Sequence, residues 1–320
     1  MGITKLLGIK YPIFQGGMAQ IALSPLVGAV SNAGGLGTIG SGGFTADRLR
    51  EEIRKTKAIT DKPFAVNLML MMNNIPELIQ VVIEEGVKIV TTGAGTPAPY
   101  MPIFKEHGIK VIPVVPSVKL AKKMEALGVD AIVAEGTESG GHVGETTTMA
   151  LLPQVTSAVS IPVVAAGGIA DGRGIAAAFA LGAQGVQLGT RFLTTDECPT
   201  HINFKKAVIE ADDTSTTVTG RSVGAPVRSI KNSMIAEYLK LEREKASRDK
   251  LEELALGSLR RAVFDGDTDR GSVMAGQISG LCKEITTVEK MITSMFTEAQ
   301  EVLNRLGNVT LVEEKESVLE

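Results

Sequence analysis

His142 is the residue in this sequence best placed for acid–base chemistry. It lies in the glycine-rich segment EGTESGGHVG (135–144), directly after a run of apolar residues. An imidazole titrates near neutrality, and flanking glycines give it room to act on a bound substrate. His107 ends a predicted helix, and His201 has no motif around it. We therefore predict that His142 is the catalytic histidine.

Two strand ends that contain glycine predict a phosphate site. The segment IPVVAAGGI ends with Gly167 and Gly168, and GVQLGTRF contains Gly189 and Thr190. Main-chain amides that glycine leaves uncovered can donate to an anion, and in barrels the loops after strands seven and eight form such a site. The phosphate could belong to a substrate or to flavin mononucleotide (FMN).

Two further segments are suited to a flat ligand. Gly16 and Gly17 in QGGMA (15–19) let the main chain approach a planar group such as a flavin ring. Asn67 ends a predicted strand, where its amide can donate and accept hydrogen bonds toward a ring edge. No GxGxxG fingerprint follows the first strand, so NADH or NADPH would visit this site rather than occupy a Rossmann domain.

Metal and thiol chemistry have little support in the sequence. No second histidine or carboxylate stands at ligand spacing from His142, and HExxH is absent, so no metal site is predicted. Cys198 and Cys282 are the only cysteines, and they form no CxxC pair. We therefore expect neither a disulfide framework nor a thiol nucleophile, because no base lies near Cys198 in the sequence.

Short apolar strands alternating with helices must position these residues. The strands are predicted at 12–14, 36–40, 63–70, 87–93, 109–115, 130–136, 161–168 and 185–190. Their apolar residues run continuously, which is typical of parallel strands buried on both faces. Chemistry-capable residues follow nearly every strand, whereas a doubly wound sheet gathers its ligand at one switch point. The predicted fold is therefore an α/β (β/α)₈ TIM barrel.

Capping residues mark the helix boundaries. Ser24 before Pro25, Thr45, Ser117 and Asp171 are predicted N-caps. Glycines that can adopt the left-handed conformation end four helices; they are Gly86, Gly108, Gly128 and Gly182.

The alternation stops near residue 200. Residues 227–262 are predicted to be helical, and the amphipathic stretch 286–305 could return as the closing helix of the barrel. The predicted domains are the barrel (1–200 and 286–310), a smaller, mostly helical lid inserted after strand eight (201–285) and a frayed acidic tail (311–320).

Composition excludes several classes of protein. The 320 residues are 44% hydrophobic and 22% charged, which is typical of a globular chain. A net charge of −3 gives no electrostatic reason to expect nucleic acid, and an aromatic content of 4% argues against base stacking. No window approaches the roughly 18 apolar residues of a membrane span. We expect a cytoplasmic protein.

Several motifs together resemble one family of flavin barrels. QGGMA, VNLML, TTGAG, EGTESGGHVG, AAGGI and QLGTRF are similar to the nitronate monooxygenase-type (2-nitropropane dioxygenase-like) FMN barrels. Within that group the chain most closely resembles the flavin-dependent enoyl-acyl-carrier-protein reductases (enoyl-ACP reductase II). Two features favour the reductase: Glu135, where nitronate-oxidising relatives usually carry Gln, and GSVMAGQ at 271–277.

The resemblance implies a bound FMN and assigns residues to it. The residues implied to hold the FMN phosphate are Gly167, Gly168, Gly189 and Thr190. Gln187 would lie near the ribityl chain or the ring. The residues implied to line the isoalloxazine are Gly17, Met18, Ala19, Asn67, Glu135 and Gly140.

The implied reaction is a ping-pong hydride relay from NADH or NADPH to FMN N5 and then to the β-carbon of an enoyl thioester. It completes the fatty acid elongation cycle. His142 would donate a proton or a hydrogen bond. The implied partners are an acyl-carrier protein and a second copy of the chain in a homodimer. Because an acyl-carrier protein is acidic, a basic docking surface is expected on the lid, from Lys205, Lys206, Arg221, Arg228, Lys231, Arg260 and Arg261.

Two other functions stay open at this point. A nitronate monooxygenase would use the same fold and flavin with oxygen as the oxidant, so the two functions differ in the electron acceptor. A flavin-free phosphate-binding barrel, such as a lyase or an isomerase, would use the same glycine loops without any yellow colour.

Overall fold

The computed structural model of the protein describes residues 2–309, so the predicted acidic tail at 311–320 lies outside the described residues. Its strands are β1 (Ile13–Gln15), β2 (Gly37–Gly40), β3 (Phe64–Met69), β4 (Ile89–Gly93), β5 (Lys110–Val115), β6 (Ile132–Glu135), β7 (Gly141–His142), β8 (Val163–Ala166), β9 (Gly185–Leu188), β10 (Thr216–Thr219) and β11 (Val227–Ile230). Eight of these strands form one parallel sheet in the order β1-β9-β8-β6-β5-β4-β3-β2. A parallel bridge between Phe14 and Leu36 joins the two edges. The predicted barrel is confirmed.

Helices follow nearly every barrel strand. They are α1 (Ile3–Leu7), α2 (Ser24–Asn32), α3 (Ala46–Ile59), α4 (Ile75–Glu84), α5 (Met101–Glu106), α6 (Val118–Ala126), α7 (Thr148–Thr156), α8 (Gly172–Ala180), α9 (Thr190–Leu193), α10 (Ile202–Ile209), α11 (Ser233–Arg243), α12 (Arg248–Ala255), α13 (Ser258–Arg260) and α14 (Val288–Leu306). Within residues 2–309, none of them is long and apolar enough to cross a bilayer.

The seam between β1 and β2 is completed by a side chain. Gln15 is fully buried at the end of β1. Its amide nitrogen donates to the carbonyl of Thr38 at 3.2 Å, and its amide oxygen accepts from the N–H of Thr38 at 3.1 Å. The Gln15 amide thus replaces a peptide group of a neighbouring strand, because buried main-chain groups must find a partner. The same nitrogen also donates to the carbonyl of Gly16, at the start of the first rim loop.

The other end of the barrel is filled with apolar side chains. Ile3 and Leu7 of α1 belong to the same buried cluster as Phe14, Ile112 and Val164 inside the barrel. Each fully buried aliphatic side chain contributes roughly 1.5–3 kcal/mol relative to exposure. This filled end leaves the carboxyl ends of the strands as the place for a ligand.

Most of the predicted helix caps are confirmed. The side chains of Thr45, Ser117 and Asp171 accept from main-chain N–H groups of the first turn. The predicted N-cap at Ser24 is wrong, because α2 already includes this residue. The N–H of Ser24 instead donates to the buried carboxylate of Glu52 on α3 at 3.0 Å. The four predicted helix-ending glycines all have positive φ: 66° at Gly86, 62° at Gly108, 74° at Gly128 and 93° at Gly182.

The segment 201–285, which we name the insertion, contains a small antiparallel sheet as well as helices. Its strand order is β10-β11-β7, so two of its strands come from the insertion and the third carries His142. The prediction of continuous helix over 227–262 is therefore wrong at β11. The residues Val227–Ile230 pair with β10 and with the distant β7, which is a long-range contact that local periodicity does not reveal.

After the insertion the chain returns to the barrel through α14. Packing between α14 and α8 is close: a Cβ added to Gly172 would lie 2.4 Å from the main-chain nitrogen of Ala299. The N–H of Gly172 also donates to Glu298 at 2.7 Å. The predicted closing helix is confirmed over Val288–Leu306.

Candidate active site

A cavity of about 550 Å³ opens at the carboxyl ends of the barrel strands. Ligand sites in barrels of this kind lie at this end and commonly have such volumes. All twelve residues predicted for the site line the cavity: Gly17, Met18, Ala19, Asn67, Glu135, Gly140, His142, Gly167, Gly168, Gln187, Gly189 and Thr190. The fold therefore brings the predicted residues together, while their individual roles stay predictions.

The end of β8 forms a turn that only glycine fits. Gly167 and Gly168 have φ of 90° and 76°. A Cβ on Gly167 would lie 2.8 Å from the carbonyl oxygen of Gly136. Among the described residues, the main-chain amides of Gly168 and Gly189 meet no hydrogen-bond acceptor. These two amides are free to donate to an anion in the cavity.

Thr190 and Gln187 both line the cavity, but their side chains differ in the contacts they make. The Thr190 hydroxyl accepts a hydrogen bond from the N–H of Gly276 in the insertion at 2.8 Å, and its own proton is left to donate. The side-chain amide of Gln187 packs beside Gly16, where an added Cβ would lie 3.3 Å from the amide. Thr190 thus links a barrel loop to the insertion, and Gln187 can offer both a donor and an acceptor.

Gly17 and Asn67 are packed in direct contact. A Cβ on Gly17 would lie 2.4 Å from Cβ of Asn67. The amide nitrogen of Asn67 donates to Oγ1 of Thr91 on the next strand at 2.9 Å. This leaves the Asn67 oxygen to accept from a ligand. The first rim loop is therefore seated against the end of β3.

Glu135 ends β6 inside the cavity. Burial raises the pKa of its carboxyl from 4.5 to about 7, and the neighbouring Ser139 hydroxyl offsets part of that rise. The Ser139 hydroxyl is itself buried and reaches no hydrogen-bond partner of good geometry among the described residues. A carboxyl with this pKa is partly protonated near neutral pH, so it can donate as well as accept.

His142 is exposed at the mouth of the cavity. Within the part of the chain that the structure describes, its ring takes part in no hydrogen bond. Its main chain is paired with the insertion, since β7 places His142 in register with Val227. The imidazole is therefore free to contact a substrate.

The sequence analysis missed the role of Glu138. Both carboxylate oxygens of Glu138 accept from the N–H of Thr148 at 2.9 Å, so this residue caps α7. The Thr148 hydroxyl donates to the carbonyl of Gly167 at 2.9 Å. Glu138 and Thr148 therefore support the turn that carries the free amides. No local pattern connects two residues ten positions apart across a loop.

The insertion, which was predicted to be a lid, forms a roof over the cavity with residues that the sequence analysis did not assign. Leu259, Met274 and Ile278 line the cavity from above. A Cβ on Gly140 would lie 2.7 Å from the main-chain carbon of Ala275, so the roof rests directly on the loop before His142. Gly140 is therefore needed for this packing as well as for any contact with a ligand.

Comparison with known proteins identifies the family. The family model described as nitronate monooxygenase matches residues 2–298. The chain belongs to the nitronate monooxygenase family.

The relatives of this chain include proteins named for different activities. The chain is 36% identical to a probable nitronate monooxygenase of Staphylococcus saprophyticus, over 95% of this chain and 98% of the relative. It is 33% identical to a carboxyl-CoA dehydrogenase of Rhodococcus jostii, named for a hydroxy-methyl-oxo-octahydroindene substrate, over 95% of this chain and 97% of the relative. The solved structure of FabK from Thermotoga maritima superposes with a TM-score of 0.93 and 47% identity, covering 96% of this chain and 98% of that one.

Membership of the nitronate monooxygenase family makes the protein a flavin-dependent oxidoreductase. The flavin-free lyase or isomerase considered above is therefore not supported. The cavity also fits FMN on its own geometry. The free amides of Gly168 and Gly189 suit a phosphate, and the oxygen of the Asn67 amide, whose nitrogen donates to Thr91, can accept from a ring edge. In this family member those residues would hold the group.

The two cysteines and the other two histidines lie in structural positions rather than in a reactive site. Cys198 and Cys282 are buried free thiols, and burial raises the pKa of Cys282 to about 11. The ring of His107 contacts the carbonyl of Ile103 at the end of α5, and the His201 ring accepts from the N–H of Asn203 at the start of α10. Among residues 2–309, no three His, Cys, Asp or Glu side chains are placed to hold a metal.

Two of the seven basic residues expected on the docking surface of the insertion are buried, and two others are held by contacts within the chain. Lys205 is buried and donates to the carbonyl of Thr195, and Arg228 is buried as well. Arg221 is paired with Glu145 at 3.3 Å. Arg261 donates to main-chain carbonyls. The prediction is wrong for Lys205 and Arg228. A charged side chain is expected at the surface unless its buried partners are known, and the sequence does not show these partners.

Proposed function

We propose that this protein is an FMN-containing enoyl-acyl-carrier-protein reductase that uses NADH or NADPH. The observation that carries the proposal is the similarity to FabK, an enoyl-ACP reductase II, at 47% identity over nearly the whole of both chains. That identity exceeds the 36% shared with the probable nitronate monooxygenase. Glu135 at the end of β6 supports the same choice.

The proposed roles follow from where the side chains lie. Bound FMN would supply hydride transfer between the nicotinamide and the enoyl thioester. The chain would hold its phosphate with the amides of Gly168 and Gly189, and its ring would lie against the cavity wall that Gly17 and Asn67 form together. His142 would donate to the thioester oxygen, where negative charge develops, or protonate the α-carbon. Its ring has no competing hydrogen bond among the described residues.

The roof of the cavity suits an acyl chain. The insertion contributes Leu259, Met274 and Ile278, and the barrel contributes Met69 and Met71. Apolar side chains around a few polar groups are the usual lining of a site for such a ligand. A small nitronate would leave much of this surface without a contact.

The proposal includes partners and a compartment. The enoyl group would arrive on an acyl-carrier protein, and the chain would act as a homodimer in the cytoplasm. Both cysteines are free, which is consistent with a reducing compartment. Cross-linking of the protein with an enoyl-loaded carrier, compared with the free thioester, would test the carrier.

The first experiment follows NADH or NADPH oxidation with and without a crotonyl or longer enoyl thioester, in air and under anaerobic conditions. We expect a yellow protein whose nicotinamide oxidation rises with the enoyl substrate when oxygen is absent. A yellow protein that ignores enoyl thioesters would contradict the proposal. A colourless protein that does not take up added FMN would contradict any flavin function.

His142→Ala tests the proposed histidine role. We expect retention of FMN and loss of enoyl turnover by about 10²–10⁴-fold, the usual contribution of a positioned proton donor. Reduction of the flavin by NADH or NADPH should change little, because that half-reaction needs no proton donor at the thioester. Wild-type turnover in this variant would remove His142 from the mechanism.

Nitronate monooxygenase is the second candidate, favoured by the family model and by the name of the Staphylococcus saprophyticus relative. The two functions differ in the final electron acceptor. Oxygen consumption with an alkyl nitronate, in a protein that does not respond to enoyl thioesters, would establish this second function in place of the first.

A further inference from the structure

His142 stands on a strand whose partner belongs to the insertion. In the antiparallel pair of β7 and β11, His142 lies opposite Val227 and Gly141 lies opposite Arg228. The N–H of Val143 donates to the carbonyl of Pro226 at 3.2 Å. The ring of His142 forms no hydrogen bond within residues 2–309, so its position depends on this main-chain pairing.

The side chain of Arg228 holds the other end of the same loop. Nε and Nη2 both donate to the carbonyl of Thr137, at 3.3 and 3.1 Å. Nη1 donates to the hydroxyl of Thr216 on β10 at 3.2 Å. One residue therefore contacts both ends of the loop 137–142, Thr137 through its side chain and Gly141 through its main chain.

This arrangement places a cation in an unusual environment. Arg228 is 7% exposed, and no carboxylate of the described residues lies within salt-bridge distance of it. Burial lowers the pKa of the guanidinium from its ordinary value, and nearby Arg221 lowers it further, while Glu138 opposes both effects. A buried charge is unfavourable unless its hydrogen bonds are well satisfied. The hydrogen bonds to Thr137 and Thr216 provide this compensation.

The rest of the loop is held by other residues. The N–H of Thr137 donates to the carbonyl of Thr146, and the N–H of Gln277 donates to the carbonyl of Glu138 at 2.9 Å. These bonds fix the beginning and the middle of the loop. The last residues before the imidazole pair with β11 and pack against Ala275 at Gly140, and Arg228 is the β11 residue that also reaches back to Thr137.

We propose that Arg228 is a positioning residue, which clasps the loop 137–142 from the insertion and thereby sets where His142 stands over the cavity. The role of His142 in turnover rests on the proposed function. The contact of Arg228 with the loop 137–142, which we name the clasp, does not depend on the substrate. A guanidinium is suited to the task because its planar fork reaches one carbonyl with two donors, which the single ammonium group of lysine does not reproduce.

The first test measures the loop directly in the FMN-loaded protein. Hydrogen exchange of peptides covering 136–146 is compared between the wild type, Arg228→Met and Arg228→Lys. We expect exchange in that segment to rise by about tenfold or more in Arg228→Met. The barrel strands should be unchanged and Arg228→Lys intermediate. The matched control is Arg248→Met, an exposed arginine of the insertion paired with Glu252 on the same helix, which should not alter the segment.

The second test asks whether Arg228 acts through His142. Arg228→Met should keep FMN and lower enoyl turnover by about 10- to 100-fold with little change in flavin reduction, as expected for a misplaced catalytic group. In a His142→Ala background the same substitution should have an effect of less than about twofold, because residues that act as a unit are not additive. Arg228→Lys should recover part of the loss.

The outcomes separate the two proposals. Unchanged exchange at 136–146 in a folded Arg228→Met or Arg228→Lys protein would overturn the clasp. Equal losses in the wild-type and His142→Ala backgrounds would overturn positioning through His142. Wild-type turnover in His142→Ala alone would refute the proposed role of the histidine, whereas faster exchange in Arg228→Met would still support the clasp.

Discussion

The rim of the barrel and the insertion face each other across one cavity but are built differently. The rim consists of short parallel strands that end in glycine turns, and it offers free main-chain amides near Gly168 and Gly189. The insertion offers apolar side chains such as Leu259 and Met274, and it holds His142 through β11. The difference teaches that the two halves of the proposed chemistry are separable: the rim suits a cofactor, and the insertion suits a substrate and the histidine.

The largest expected effect is a loss of FMN affinity when a side chain is added to the rim at Gly17. In Gly17→Ala the new Cβ would lie 2.4 Å from Cβ of Asn67, so Asn67 must move and its bond to Thr91 is lost. Overpacking of this kind costs about 1–3 kcal/mol, and we expect FMN affinity to fall by about 10- to 100-fold. Flavin fluorescence during titration of the flavin-free protein measures this.

The matched variant lies in the insertion. Leu259→Ala removes apolar surface from the roof and touches none of the rim glycines. It should keep FMN affinity within about twofold while raising KM for a long enoyl thioester more than for crotonyl, at about 0.8 kcal/mol for each buried CH₂ that loses its contact. If Leu259→Ala lost FMN as strongly as Gly17→Ala, the division between rim and insertion would be wrong.

The rim was largely predictable from the sequence, because its elements depend on local signals. The run at 109–115 differs by one residue from Lys110–Val115, and the run at 63–70 by one residue at each end from Phe64–Met69. Strands buried on both faces have continuous apolar runs, and glycine marks the helix ends that precede them. A strand's end also fixes which residues reach the cavity, so the candidate residues could be gathered from sequence position alone.

The insertion was not predictable in the same way. Val227–Ile230 becomes a strand because it pairs with residues 216–219 and with residues 141–142. The second pairing joins residues that are more than 80 positions apart in the sequence. Arg228 was expected on the surface, although Thr137 and Thr216 bury it. Neither outcome follows from propensity or charge, because each depends on a partner that the chain reaches only after folding.

An intermediate effect concerns Glu135, at the boundary between the two regions. Burial raises the pKa of this carboxyl from 4.5 to about 7. The folded chain therefore binds a proton that the unfolded chain has released, so stability is present at low pH and falls as the pH rises from about 4.5 through about 7. Glu135→Gln keeps the shape and removes the charge, so its stability should not show this fall.

The measurement is thermal unfolding of the flavin-free protein from about pH 5 to about pH 8. The wild type should lose several degrees of Tm relative to Glu135→Gln over this range. Glu145→Gln is the control, since that carboxylate is exposed and forms only a surface pair with Arg221. Parallel Tm profiles for the wild type and Glu135→Gln would show that Glu135 ionises as readily in the folded chain as in water.

The smallest expected effect compares backbone strain in the two regions. Ala94 follows β4 on the cavity rim with φ of 51°, and Lys245 lies in the turn between α11 and α12 of the insertion with φ of 55°. A left-handed residue other than glycine costs about 1–2 kcal/mol, and the added freedom of glycine in the unfolded chain returns part of that. Ala94→Gly and Lys245→Gly should therefore each stabilise the protein by about 0.5 kcal/mol, seen as a small rise in Tm.

The two glycine variants should differ in ligand binding. Only Ala94 lines the cavity, and strain held at such a place is often part of how a site is shaped. We expect Ala94→Gly to weaken FMN binding by about two- to fivefold although the chain becomes more stable, and Lys245→Gly to leave FMN binding unchanged. Equal FMN affinities in both variants would mean that the strain at Ala94 belongs to the turn after β4 and does nothing for the rim.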